Sequence, residues 1–379
     1  MEAFKIKNGI SATRYLGSNG TETAGSVGYS LSSGSYDSVS FSFAGQDASP
    51  IGIALNLDGT KMYHLGAASN TIYQYTLSTG FDVSTASYDS VSFSVSGQDS
   101  GPRSITFNTD GTKMYMVGIS NDSVFQYSLS TAFDLSTTSY DSVSFSVASQ
   151  DSVPLGITFN TDGTKMYMVG SGSDSVYQYT LSTGFDLSTA SYNSVSLSVS
   201  SQDTSPVDIA FNSSGTKMYM VGISNDSVYQ YTLSTGFDLS TASYDSVSFS
   251  VTSQDNQPYD IVFNTDGTKM YIMGLTSKTI YQYSTALNTK TLDLSTGTTF
   301  SFTPSGSTTV SFTNPPATGI ALGFSVEIVG DASVITWPSS IKWHLATAPT
   351  ATATKELYTF VTTDGGTTYY GKKAAEGIA

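Results

Sequence analysis

Apolar and polar residues follow a short-range alternation along most of this chain, and the pattern itself returns at fixed intervals. Between Tyr140 and Val147, Val143, Phe145 and Val147 fall on one face while Ser142, Ser144 and Ser146 fall on the other. A period of two predicts a strand with one wet side, as suits an outermost strand whose serines discourage edge pairing. Ile157–Asn160 and Lys165–Val169 are apolar at nearly every position, the mark of strands covered on both faces. Val176–Leu181 mixes aromatics with Gln178 and Thr180. Asn160-Thr-Asp-Gly-Thr reads as a hairpin loop in which Gly163 takes positive φ.

The same four runs recur five times. The glycine of Gly-Thr-Lys-Met-Tyr stands at Gly59, Gly111, Gly163, Gly215 and Gly267, a spacing of 52 each time. Four antiparallel strands per copy, graded from buried to wet, predict the blade of a β-propeller. The phase gives a further expectation. If each innermost strand starts after Gln-Asp-x-x-Pro, the fifth blade has only three strands, near Tyr259–Asn264, Thr268–Met273 and Thr279–Ser284. A spare outer strand, Tyr36–Phe43, stands at the front. Pairing the two would remove two open edges at once, so the sequence predicts an all-β, five-bladed propeller closed by its N-terminal strand. A solenoid or an open row of modules is the structural alternative.

Outside Ser35–Thr289 the period is lost. Residues 1–34 are too few for a domain and read as an arm, with Phe4–Ile10 as strand and turn. Val27-Gly-Tyr-Ser-Leu-Ser reads as an echo of a third blade strand. Residues 290–379 carry strand candidates at Thr298–Thr303, Thr308–Thr313, Phe324–Val329, Ser333–Trp337, Glu356–Thr362 and Thr368–Gly371. Asn314-Pro-Pro, Gly330-Asp and Asp364-Gly-Gly supply turns, and the expected unit is a small β-sandwich or jelly roll.

Charge sharpens this map. The formal net charge of −15 lies wholly in residues 35–289, which hold 22 Asp, no Glu and 7 Lys or Arg. No basic stripe exists to meet nucleic acid, no apolar run is long enough for membrane insertion, and the first residues do not read as a signal peptide. Absence of cysteine excludes disulfides, thiol nucleophiles and thiolate metal sites. His64 and His344 are the only imidazoles, and His64 occupies a slot held by Met116, Met168, Met220 and Ile272 in the other copies. No catalytic residue, cofactor or metal is expected, and the chain reads as a non-enzyme.

Two sets of polar positions stand out. Gln46-Asp47, Gln98-Asp99, Gln150-Asp151, Gln202-Asp203 and Gln254-Asp255 recur once per blade, which favours a structural role at a tight crossing; a cation-attracting ring is the other reading. Positions where otherwise similar copies disagree are better candidates for recognition. After each proline, Arg103, Asp208, Tyr259 and Asp260 break the pattern, and one loop slot holds Asp122, Asp174, Asp226 and Lys278. These eight are the candidate receptor or partner contacts, on the face carrying the Gln-Asp crossings.

Ile157-Thr-Phe-Asn-Thr-Asp-Gly-Thr-Lys-Met-Tyr-Met-Val-Gly resembles the core of YVTN and NHL-type propeller blades. Ile335-Thr-Trp-Pro-Ser-Ser-Ile-Lys-Trp, Ala348-Pro-Thr and Tyr358-Thr-Phe-Val-Thr-Thr-Asp-Gly-Gly-Thr-Thr-Tyr-Tyr-Gly resemble a C-terminal module of tail-fibre and virion proteins of tailed bacteriophages. Phe4-Lys-Ile-Lys-Asn-Gly-Ile with Arg14-Tyr-Leu-Gly-Ser-Asn-Gly-Thr is similar to N-termini in the same proteins. That family usually has Trp where Tyr369 sits and Pro-Gly-Gly where His344-Leu-Ala follows Trp343. The resemblance implies a structural virion protein made in the host cytoplasm, such as a tail fibre or receptor-binding protein. Its implied partners are other virion proteins and a host surface glycan or protein, with homo-oligomerisation left open. A capsid decoration or head-fibre protein and a polysaccharide depolymerase are the alternatives.

Overall fold

Every copy of the repeat forms a four-stranded antiparallel sheet, and the third copy shows why. Its strands are Pro154–Phe159, Lys165–Gly170, Ser175–Leu181 and Ala190–Ser198, running outward from the ring axis. In the second strand Met166, Tyr167, Met168 and Val169 are all fully buried, because other sheets cover both faces. The outer strand leaves its serines exposed. At the hairpin, Asn160 Oδ1 accepts the Lys165 N–H at 2.9 Å, and Gly163 turns at φ +71°. The computed structural model describes residues 21–285, 287–304, 308–329, 335–344, 348–349 and 355–377. The expected Phe4–Ile10 strand, most of the Arg14–Thr21 motif, the Gly330-Asp turn, and Ser333 and Val334 lie outside them.

Five such sheets make the propeller, and the ring closes as the phase of the repeat requires. The fifth sheet holds Pro258–Phe263, Lys269–Gly274, Thr279–Ser284 and, as its outer strand, Ser35–Ser42. Ser35 stands opposite Ser284 and Ser42 opposite Thr279.

Apolar sheet faces pack blade against blade, and the linkers add hydrogen-bonded ties. Between its third and outer strands each blade carries an aromatic at positive φ followed by a 3-10 turn: Phe81, Phe133, Phe185 and Phe237 have φ of 59–64°. Each ring covers the hairpin glycine of its own blade; a Cβ on Gly163 would lie 2.3 Å from Phe185. The neighbouring blade then sends a tyrosine hydroxyl to the strained residue's carbonyl. Tyr63 donates to Phe133 and Tyr115 to Phe185, both at 2.5 Å, and Tyr167 to Phe237 at 2.6 Å. Tyr271 donates to Phe81 at 2.6 Å, which joins the last blade to the first. A glutamine repeats the link: Gln126 Oε1 accepts the Leu187 N–H at 2.8 Å, while its Nε2 donates to Asp141 at 2.8 Å.

The fifth blade obtains its linker from the N-terminus. Tyr29, at φ +66°, covers Gly267 and accepts from Tyr219 at 2.6 Å, and Leu31 is buried at the head of a 3-10 turn. Gly28-Tyr-Ser-Leu-Ser-Ser is therefore a copy of Gly184-Phe-Asp-Leu-Ser-Thr, and not the third-strand echo expected from the sequence. Its acid is replaced by Ser30, which hid the match. The compact propeller unit accordingly runs from Gly28 to Ala286.

The second unit gathers residues from both ends of the chain, Met1–Val27 and Leu287–Ala379. Closure of the ring brings these ends together, with Ser30 N–H donating to the Thr285 carbonyl at 3.0 Å. Thr21–Val27 then pairs antiparallel with Leu287–Asp293, beside Thr308–Thr313 and Ile335–Thr336. A second sheet orders Thr299–Phe302, Leu322–Ile328, Glu356–Thr362, Tyr369–Glu376 and Ile341–Trp343. Leu292 and Val310 from the first sheet and Phe300, Phe324, Val326 and Phe360 from the second share one core. This is a β-sandwich, with several parallel pairings.

Replacing Tyr115 by Phe should strand the Phe185 carbonyl and cost about 1–2 kcal/mol. A melting temperature lower by several degrees, with unchanged circular dichroism at 25 °C, is the expected result.

Candidate functional site

Each inner strand begins with a register irregularity: its proline pairs normally, the next residue is skipped, and pairing resumes one later. The residues at which it resumes are Gly52, Ser104, Gly156, Asp208 and Asp260. All five are buried. Inner strands pair on one side only, so their other edge faces the ring axis. Two carboxylates in adjacent blades are thus placed at the axis of the ring.

Their surroundings define their chemistry. Asp208 Oδ2 accepts the Ile261 N–H at 3.1 Å, and Asp260 Oδ2 accepts the Ile53 N–H at 3.1 Å. Asp208 Oδ1 points toward Gly156, where a Cβ would stand only 2.2 Å away, and it has no donor among the described residues. Burial pushes the Asp208 carboxyl up to about 7, and the hydrogen bond with Asp260 acts against that rise. Asp260 is also raised well above the usual carboxylate range, by burial first and then by the charge on Asp208. Two carboxyls coupled in a dry site titrate as one unit, and burial holds the pair protonated well above the usual carboxylate range.

The pair forms the floor of a cavity of about 340 Å³ on the ring axis. Ile53, Ile105, Ile157, Ile209 and Ile261 line its walls, with Phe107, Phe159, Phe211 and Phe263 beyond. Its mouth lies among the hairpins Asn56-Leu57, Asn108-Thr109, Asn160-Thr161, Asn212-Ser213 and Asn264-Thr265 and the linker aromatics. Hairpins and linkers occupy the face opposite the Gln-Asp crossings, because strands alternate in direction.

Of the eight candidate contacts, the structure brings together only Asp208 and Asp260. Arg103 and Tyr259, both half-buried, occupy the skipped positions toward the other face, where Tyr259 packs on the cluster holding Ile51 and Ile105. Asp122, Asp174, Asp226 and Lys278 sit at positive φ in the loops after the second strands, with φ of 44–58°. Their carbonyls accept the N–H of Val147, Val199, Val251 and Phe43. That slot demands a left-handed backbone, which Asn and Asp adopt most readily. Asp174 is raised by burial and then by the charges of Asp151 and Asp203.

The repeated pair holds backbone. Asp151 Oδ1 accepts the N–H of Val153 at 2.8 Å and of Gly172 at 3.1 Å; its Oδ2 accepts that of Ser173 at 2.9 Å. Asp47, Asp99, Asp203 and Asp255 are buried likewise. Gln46, Gln98, Gln150, Gln202 and Gln254 each accept a tyrosine hydroxyl, from Tyr75, Tyr127, Tyr179, Tyr231 and Tyr283. Among the described residues no group of three or more His, Asp or Glu is placed to hold a metal ion.

His64 is fully buried, stacked between Phe43 and Tyr73 at centroid distances of 4.3 and 4.7 Å. Burial pushes its pKa down to about 3, so the ring is neutral. His344 is exposed.

Fold and cavity define a five-bladed propeller with an acid-floored axial pocket. The family model of the lactonases, "Lactonase, 7-bladed beta-propeller", matches residues 58–236, from the first hairpin to the fourth linker and just under half of the chain. No curated protein matches. Among solved structures, a protein of unknown function from Desulfotomaculum acetoxidans is 13% identical, with a TM-score of 0.40, covering 59% of this chain and 79% of its own. Candidate 6-phosphogluconolactonases from Bacteroides uniformis and Bacteroides fragilis are 14% identical, with TM-scores of 0.38 and 0.39. They cover 59% and 62% of this chain and 63% and 67% of their own. Similarity of that size fixes neither blade number nor function.

The lactonase match overturns the expectation of a non-enzymatic phage structural protein, whether tail fibre, receptor-binding or virion component. No comparison connects the chain with a phage particle. Physically, the C-terminal motifs behind that expectation are core residues: Trp337, Trp343, Tyr358, Phe360 and Tyr369 pack together in the sandwich. Their spacing reports how a sandwich is filled.

Two titrations of opposite sign follow. Asp208 binds its proton more tightly folded than unfolded, so its contribution is present below about pH 4 and lost as pH rises through about 7. Asp208→Asn should therefore gain in melting temperature relative to wild type between pH 5 and pH 8. His64 binds its proton less tightly when folded, so stability is full above about pH 6.5 and falls below it. His64→Met, which restores the residue of the other blades, should remove a loss of about 2 kcal/mol at pH 5, measured by denaturant melts.

Proposed function

We propose that the propeller is a lactonase-type hydrolase that works in the axial cavity, with Asp208 and Asp260 as its acid–base pair. The observation that carries this reading is the buried carboxyl pair at the floor of a pocket walled by isoleucine and phenylalanine. The blades that build three of its five walls and part of a fourth lie within the lactonase match.

Hydrolysis of a lactone adds water to the carbonyl carbon and breaks the bond to the ring oxygen. Asp208, ionised, takes a proton from the attacking water. Asp260, protonated, gives its proton to the ring oxygen as that bond breaks. The product is a hydroxy acid, and a proton passing back between the carboxyls restores the pair. Burial is what makes the division of labour work: it holds one carboxyl neutral where an exposed Asp would be ionised, and places the other's pKa near the working pH.

Release of acid from lactones in weakly buffered solution tests the proposal. Wild-type kcat/KM should rise with pH through about 7 as Asp208 ionises, and fall again where Asp260 loses its proton. Asp208→Asn and Asp260→Asn should each lower the rate about 10²–10⁴-fold. Hydrolysis no faster than the spontaneous reaction, or variants as active as wild type, would overturn it.

A further inference from the structure

We infer that the cavity accepts an uncharged lactone with an apolar body, and excludes phosphorylated or otherwise anionic ones. This rests on the lactonase reading and adds the class of substrate. A bound phosphate needs cations or free N–H donors, and a polyhydroxylated ring needs free hydrogen-bonding side chains. The cavity lining contains no Lys, Arg or His. The lysines that follow the hairpins are engaged elsewhere: Lys61, Lys217 and Lys269 bind Asp89, Asp245 and Asp37 at 2.6–2.8 Å, Lys113 pairs with Asp141 at 3.5 Å, and Lys165 donates to the Phe237 carbonyl at 2.7 Å.

The asparagines at the mouth are engaged within their own hairpins. Asn160, like its four counterparts, accepts a lysine N–H through Oδ1 and donates to a threonine hydroxyl through Nδ2. The walls offer chiefly isoleucine and phenylalanine side chains, with Ser104, Thr106 and Thr158 as the hydroxyl-bearing residues among them.

Charge at the rim acts in the same direction. Asp58, Asp110, Asp162 and Asp266 stand at the hairpin tips, next to mouth residues. Hydrogen bonds from the threonines two residues on hold the carboxyls of Asp58, Asp110 and Asp162 below the usual range, so they stay charged well into acid. Asp266 is likewise held low, its threonine hydrogen bonds outweighing burial. An anionic lactone entering the mouth would pass these carboxylates and then meet Asp208. Like charge in a low-dielectric channel opposes entry, whereas an alkyl group gains by leaving water.

Three substrates separate the possibilities: an alkyl-substituted δ-lactone, glucono-δ-lactone, and its 6-phosphate, each assayed with the full chain. The alkyl lactone should have the highest kcat/KM, by about tenfold or more over glucono-δ-lactone, with the phosphate ester lowest. Asp110→Lys with Asp162→Lys should lower KM for the phosphate ester while leaving the alkyl lactone unaffected. A binding arm reads the pocket without turnover: calorimetric titration with an alkyl δ-lactam and with 6-phosphogluconate. Tight lactam binding without hydrolysis of any lactone would sink the lactonase reading and leave the ligand class standing. Preference for the phosphate ester, or binding of 6-phosphogluconate over the lactam, would overturn the inference and leave lactonase activity intact.

Discussion

The propeller depends on one interaction made five times: a tyrosine hydroxyl of one blade bonded to the carbonyl of a strained aromatic residue in the next. Holding Phe or Tyr at positive φ costs on the order of 1–3 kcal/mol, and would not persist in an isolated blade. It persists because the aromatic ring covers a glycine that has no Cβ, and because the turned carbonyl then meets a tyrosine hydroxyl of the neighbouring blade. The glutamine link beside it ties the same linker to the same neighbour. Each blade thus completes the one before it, so the set is satisfied only when the last meets the first.

That cyclic demand explains the use made of the N-terminus. A fifth blade built only from its own repeat would lack linker and outer strand, leaving the Tyr219 hydroxyl, Gln230 Oε1 and one sheet edge without the partners they have here. Gly28–Ser42 supplies all three needs: Tyr29 accepts from Tyr219, Leu31 N–H donates to Gln230 at 3.5 Å, and Ser35–Ser42 covers the edge. Joining the ring's two ends also brings Thr21–Val27 beside Leu287–Asp293, which seeds the sandwich from segments far apart in sequence.

The axial site is a by-product of the same geometry. Five inner strands must present five residues to one axis, and that space is too small for five side chains of equal size. Gly156 gives the Asp208 carboxyl its room, since a Cβ there would stand 2.2 Å from Oδ1. Low dielectric does the rest, turning two ordinary aspartates into a pair protonated well above the usual carboxylate range. Lys165 shows how closely the repeat is tuned: where Asn193 replaces the outer-strand Asp, the lysine turns to a backbone carbonyl of the next blade.

Periodicity alone determined the blade, the number of blades, the hairpins and the closing strand, because alternation and a constant 52-residue spacing are local, countable properties. It also drew attention to Asp208 and Asp260, as positions where copies differ. It could not tell that they are neighbours across a channel, since that follows from ring order and not from separation along the chain. Nor could it tell that they face the mouth opposite the Gln-Asp crossings, since strand direction decides the face. The linker role of Gly28–Gly34 stayed hidden because Ser30 replaces the capping acid, and the C-terminal motifs misled because residues that fill a sandwich core leave similar aromatic spacings. Tertiary structure decided what the acids are: only burial beside one another makes a carboxyl hold its proton near neutral pH.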